Sequence, residues 1–191
     1  MTWLIAGLVL FFGPHSVRIF ADGWRSATIA RIGAPAWKGL YTLVSIIGLV
    51  LVIYGYGLAR ADPTVLWTPP AWGRHATALL SLVAFILVAA AYIPGTKIRE
   101  KIGHPMLVGA KAWAFGHLLS NGTLADLLLF GVFLAWAIAH FAVSRRRDRA
   151  EGRTYPAAGW TRDAAAILAG IVATGIFAMW LHVPLIGVRP F

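Results

Sequence analysis

The sequence predicts an all-α polytopic membrane protein, a six-transmembrane-helix bundle with both termini on the non-cytoplasmic side. Three observations lead there. Hydrophobic residues make up 59% of the 191 positions and charged residues only 13%, against about half and about a quarter in soluble domains. The mean hydropathy is +0.74, and the charges cluster between apolar runs of spanning length. Arginine and lysine crowd every second loop, which is the signature of cytoplasmic loops.

Six apolar segments are long enough to cross a bilayer: Thr2–Phe20, Ala36–Leu58, Arg74–Ile93, His104–Ser120, Thr123–Val143 and Ala164–Ile186. By length they form a single domain over residues 1–191. The first segment lacks a basic leader and a small-x-small cleavage site, so it reads as a span and not as a signal peptide. The loops after spans one, three and five carry Arg25, Arg31, Lys38, then Lys97, Arg99, Lys101, then Arg145, Arg146, Arg147, Arg149, Arg153, Arg162. The other side has Arg60, Arg74 and Arg189. The net charge of +10 is therefore accounted for by topology and contact with membrane lipid, with no nucleic-acid partner.

The loop from Ala59 to Gly73 holds Trp67, Trp72 and three prolines. It is expected at the outer interface, where tryptophan is enriched, or as a substrate lid. Asn121-Gly122 leaves room only for a tight turn between spans four and five, which makes them an antiparallel hairpin. Thr123 and Asp126 have the spacing of an N-cap and its acidic partner, so Asp126 reads as structural. Gly48 and Gly55, Gly109 and Gly116, and Gly170 and Gly175 mark faces where helices can approach closely.

Ionisable residues inside spans are costly and are candidates for function. With a rise of about 1.5 Å per residue, the topology sorts the histidines by depth. His15, His104 and His140 fall in the cytoplasmic half, and His75, His117 and His182 in the outer half. His104 and His117 are about 20 Å apart along one helix and cannot share a ligand. His104 and Lys111 lie on nearly the same face of span four. Lys111 falls near the midplane with no acidic residue in any span at its depth. It requires an anionic ligand, a neutral state bonded to carbonyls, or a path by which to snorkel to the interface. His15 follows Pro14, which should kink span one and free a nearby carbonyl. Arg18 is one turn further on. On the residues alone His15 and His104 read either as packing residues or as ligands, His140 as a third member of that group or an interfacial residue, and His75 and His182 as interfacial.

Several classes lack their residues. Without cysteine there are no disulfides, thiolate sites or cysteine nucleophiles. The spans hold no facing carboxylates for hydrolysis, no HExxH, no phosphate-binding glycine loop, and none of the acidic residues usual in proton-coupled transport.

The stretches FFGPHSVRIF, YTLVSIIGLVLVIYGY and GHPMLVGAKAWAFGHLLSNGTLADLLLFGVFLAWAI together resemble the NnrU family. The resemblance implies a multi-pass protein of the bacterial inner membrane linked to nitrite and nitric oxide metabolism. The family is similar, more distantly, to zeta-carotene isomerase, a membrane enzyme with a b-type haem. That likeness implies His15 and His104 as axial ligands, in the H-S and H-P motifs His15-Ser16 and His104-Pro105. Arg18, Lys111 and the group Lys97, Arg99 and Lys101 become candidates to meet propionates. The isomerase cysteine three residues before its H-P motif is Lys101 here, so a swap to a thiolate ligand has no counterpart. A redox, sensing or isomerase-like role is implied, with a hydrophobic small molecule as the candidate substrate.

GHPMLVG is also similar to the H-P-x-x-x-G segment of membrane methyltransferases that bind S-adenosylmethionine. It implies a cofactor site at His104, Pro105 and Gly109. Their acidic, tyrosine-rich C-terminal segment is represented only by Glu151 and Tyr155. A third reading is a non-catalytic partner of respiratory or denitrification proteins.

Overall fold

The computed structural model describes residues 1–190, and every regular element among them is helical. Five helices are long and apolar enough to cross a membrane. The chain divides into two compact units, residues 1–64 and 65–191.

The first unit is a helical hairpin with a short helix at its bend. Helix α1 (Thr2–Phe20) runs unbroken through Pro14, α2 spans Asp22–Ile32, and α3 spans Ala34–Ala61. α1 and α3 pack backbone to backbone. A Cβ placed on Gly48 would stand 2.5 Å from the Phe11 nitrogen, and one on Gly7 2.5 Å from the Val52 nitrogen. Gly55 is pressed in the same way on Leu4. The glycine stripe thus substitutes close van der Waals approach for the hydrophobic drive that lipid cannot supply. Leu4, Leu8, Phe12, Val52 and Tyr56 are buried along the seam. Leu40, Leu43, Ile46, Ile47, Val50 and Ile53 are exposed on α3, as expected of residues that meet acyl chains. The arginine-bearing link after span one, expected as a loop, is the helix α2, because after Gly23 in its first turn no further breaker intervenes before Gly33.

The second unit holds α4 (Gly73–Tyr92), α5 (Lys97–Ile102), α6 (Pro105–Ser120), α7 (Leu124–Ala150) and α8 (Trp160–Ile176). α8 continues through a π-helical turn, Phe177–Leu181, into α9 (His182–Ile186). α4 packs on α6 and α8, and α6 on α7. Gly109 and Gly116 of α6, with Gly170 of α8, seat the backbone of α4 at Ala84, Thr77 and Ile86. Gly175 meets nothing within 4 Å and takes no part in this packing.

Two expectations change in this unit. At 16 residues α6 is about 24 Å long, and the fourth expected span is not among the five helices long and apolar enough to cross a membrane. The basic SRRRDRA run, expected as a loop, is the last two turns of α7. Its arginines and alanine are good helix formers, and no breaker appears before Gly152.

The turn from α6 to α7 is held as the spacing predicted. The Asp126 amide donates to Thr123 Oγ1 at 3.2 Å, and the Thr123 amide to Asp126 Oδ2 at 2.9 Å, a reciprocal capping box. The tryptophan-rich loop does not hang free. The amides of Leu66 and Trp67 donate to the Gly122 carbonyl at 2.8 and 3.1 Å, which pins residues 65–67 on the α6–α7 turn.

Candidate functional site

The richest gathering of ionisable side chains lies where α6 begins and α7 ends, and Gly103 makes it possible. The chain leaves α5 at Gly103 with φ +78, a left-handed conformation natural to glycine. A Cβ there would stand 2.6 Å from Arg145 Nη1. The turn therefore delivers His104 to the N-cap of α6, with Pro105 in the first turn where its missing N–H costs nothing.

Asp148 is the hub of the cluster. It is 6% exposed, and a buried carboxylate must be paired and hydrogen-bonded. Its Oδ2 lies 2.8 Å from His104 Nε2 and 3.7 Å from Arg145 Nη1. Its Oδ1 accepts from the Tyr155 hydroxyl at 3.1 Å. Burial, together with the hydrogen bond to Asp148, pushes the Tyr155 phenol above its ordinary range, so it stays a donor at neutral pH. The Arg99 guanidinium stands 5.0 Å from the Tyr155 ring centre. His104 also meets the rings of Tyr155 and Phe141 edge to face, with centres at 5.8 and 6.4 Å.

Two turns deeper on α6, Lys111 lays its ammonium 3.9 Å from the centre of the Phe141 ring. One aromatic side chain thus lies between the imidazole and the amine that the sequence put on one helix face. The contact is cation–π, worth about 0.5–2 kcal/mol depending on desolvation.

A second buried carboxylate supports this end of the unit. Asp163, in the first turn of α8, accepts from the amides of Lys97 and Ile98 at 3.1 and 3.0 Å. Thr96 caps α5, its Oγ1 accepting from the Arg99 amide at 3.1 Å. α5, and with it Arg99 and Gly103, is therefore fastened to α8. Lys97 rests over the exposed Trp160 ring at 3.9 Å.

In the first unit His15 has its own setting. Its Nδ1–H donates to the Phe11 carbonyl at 2.6 Å, and its ring stacks on Phe11 at 4.4 Å and meets Tyr41 at 5.0 Å. A carbonyl can only accept, so the neutral ring carries its lone pair on Nε2. Arg18 reaches Asp22 at 3.9 Å in an exposed pair, a contact of little energetic weight.

The other histidines have contacts of their own. His117 donates to the Trp113 carbonyl at 2.9 Å and packs among Trp113 and Phe130. His140 contacts Trp136, and His182 bonds the Val188 carbonyl at 2.7 Å. His75 is exposed at the start of α4. Among the described residues no group of three or more His, Cys, Asp or Glu gathers around a common point.

Sequence reasoning had singled out His104 and Lys111 but passed over Asp148, hidden among arginines, and Asp163. The available signal was the lone acid in SRRRDRA, placed on α7 at the level of His104 once that run is helical. Of the weak candidates Glu151 and Tyr155, only Tyr155 joins the cluster, since Glu151 is paired with Arg153 at 2.7 Å.

No curated protein and no solved structure matches the chain. A family model described as NnrU protein does, over residues 3–190. That match takes in both units, α1 with its His15-Ser16 pair and α6 with its His104-Pro105 pair. The chain belongs to the NnrU family.

Proposed function

We propose that this NnrU protein holds a b-type haem and serves a redox, sensing or isomerase-like role linked to nitrite and nitric oxide metabolism. In this reading it crosses a bacterial inner membrane six times, with both termini on the non-cytoplasmic side. The observation that carries the proposal is the convergence at the head of α6. An imidazole, two guanidinium groups and a phenol meet there, and an ammonium lies two turns below on the same face.

Taken unit by unit, the residues fit such a group. His104 is oriented by a carboxylate, and His15 by a carbonyl. Partners of this kind fix the tautomer and raise the donor strength of a metal-bound imidazole. Arg99 and Arg145 suit propionates, which pair well with guanidinium, and Lys111 suits an anionic edge placed deeper. A bound haem would supply one-electron chemistry, with a potential set by its axial ligands and their hydrogen bonds. The chain itself would orient the ligands, neutralise the propionates and exclude water.

Absorption spectra of the oxidised and reduced purified protein test this reading. A Soret band lost in both His15→Ala and His104→Ala is expected. Haem-free protein from haem-replete cells, or full haem content in both variants, overturns it. Reporter fusions after Phe191 test the topology, and a cytoplasmic signal contradicts it.

One observation favours a second reading. Tyr155 and an acidic residue do meet the His104-Pro105 segment, as the methyltransferase resemblance requires, although the acid is Asp148 and not Glu151. Calorimetric titration with S-adenosylmethionine distinguishes the two. Saturable micromolar binding, abolished in His104→Ala, would place the methyltransferase reading first.

A further inference from the structure

We propose that Asp148 is a positioning residue that holds His104 as its Nε2–H tautomer, so that His104 meets its ligand through Nδ1. The identity of that ligand rests on the haem reading; the tautomer rests on the geometry of the cluster alone. An ionised carboxylate can only accept hydrogen bonds, so the nitrogen 2.8 Å from Asp148 Oδ2 must carry the proton. Asp148 is contacted on both of its oxygens. Its second oxygen is taken by the Tyr155 hydroxyl and its first is shared with Arg145. A neutral imidazole with its proton on Nε2 keeps its lone pair on Nδ1. The partner of His104 is thus an electron-pair acceptor that approaches Nδ1, either a metal centre such as haem iron or the proton of a ligand hydroxyl.

The two candidate histidines are therefore set in opposite senses. His15 gives its Nδ1 proton to a backbone carbonyl on its own helix, which directs donation to Nε2. His104 gives its Nε2 proton to a side chain 44 residues away, which directs donation to Nδ1. A carboxylate strengthens an imidazole donor more than a carbonyl does, because it also stabilises positive charge on the ring. The lone acid of a basic run is the atom group on which that difference depends.

The test uses the full chain, labelled with 15N-histidine and reconstituted in lipid nanodiscs, with His104 assigned by comparison with His104→Gln. Haem-free wild-type protein, held at a pH where the imidazole is neutral, is expected to show Nε2 protonated and Nδ1 bare. Asp148→Ala is expected to release the ring to a mixture of tautomers. Asp148→Asn, whose side-chain oxygen still accepts from Nε2–H, is expected to retain the wild-type pattern. A wild-type His104 protonated on Nδ1 and bare on Nε2 under those conditions overturns the proposal, as does a tautomer unmoved in Asp148→Ala. A second arm adds haem. If iron is the acceptor, the Nδ1 signal of His104 is lost and haem affinity falls about 10–100-fold in Asp148→Ala. If haem fails to bind while the tautomer result holds, the haem reading falls, the assignment of Asp148 stands, and a ligand proton is the acceptor.

Discussion

His104 and Asp148, 44 residues apart in sequence, are joined by a 2.8 Å hydrogen bond across the contact of α6 with α7. The bond closes the helical pair at the end opposite the capping box of Thr123 and Asp126. The hairpin is thus fastened at both ends by a carboxylate, once by a local motif and once by a partner distant in sequence.

Removing Asp148 should cost more than removing its charge. In Asp148→Ala the Tyr155 hydroxyl and His104 Nε2–H lose their acceptor, and since both are only part-buried each costs less than the about 1–3 kcal/mol of a fully buried unpaired group. Asp148→Asn retains an acceptor. Thermal unfolding of the detergent-solubilised protein should rank wild type above Asp148→Asn and Asp148→Asn above Asp148→Ala. Equal midpoints for the two variants would contradict this account.

Gly103→Ala should destabilise the same cluster by another route. The new Cβ would meet Arg145 Nη1 at 2.6 Å in a backbone with φ +78. A loss of about 1 kcal/mol or more is expected from the left-handed conformation alone. Combining it with Arg145→Ala should recover the steric part and leave the conformational part, and a double variant no better than Gly103→Ala would refute the contact.

Gly170→Val should separate α8 from α4, because a Cβ on Gly170 would lie 2.5 Å from the Ile86 Cα. Gly175→Val, with nothing within 4 Å, should be tolerated. Cross-linking of cysteines introduced at the α4–α8 contact would report the difference, with the yield falling only in the first variant.

On the proposed haem reading, Lys111→Met should lower haem retention more than expression. The substitution keeps an apolar contact with Phe141 but removes the one charge placed at that depth on α6. The haem-to-protein ratio of purified variants is the measurement, and an unchanged ratio would leave Lys111 as a packing residue.

Five of the six expected spans, their order and the hairpin turn were legible in the sequence because each depends on local pattern. Apolar runs of spanning length set α1, α3, α4, α7 and α8, and the Thr123–Asp126 spacing set a cap that needs only three intervening peptide units. Gly48, Gly55, Gly109, Gly116 and Gly170 marked contact faces, though only the packed helices show that Gly175 is idle. His104 and Lys111 stood out because ionisable groups in an apolar helix are costly wherever they point. Asp148 did not, because an acid among five arginines reads as a solvated surface charge. Its role depends on α7 continuing through that run and on Gly103 turning His104 toward it. Such a contact spans 44 residues and has no periodicity to betray it, so tertiary packing alone decides which acid the histidine meets and which of its nitrogens remains to bind.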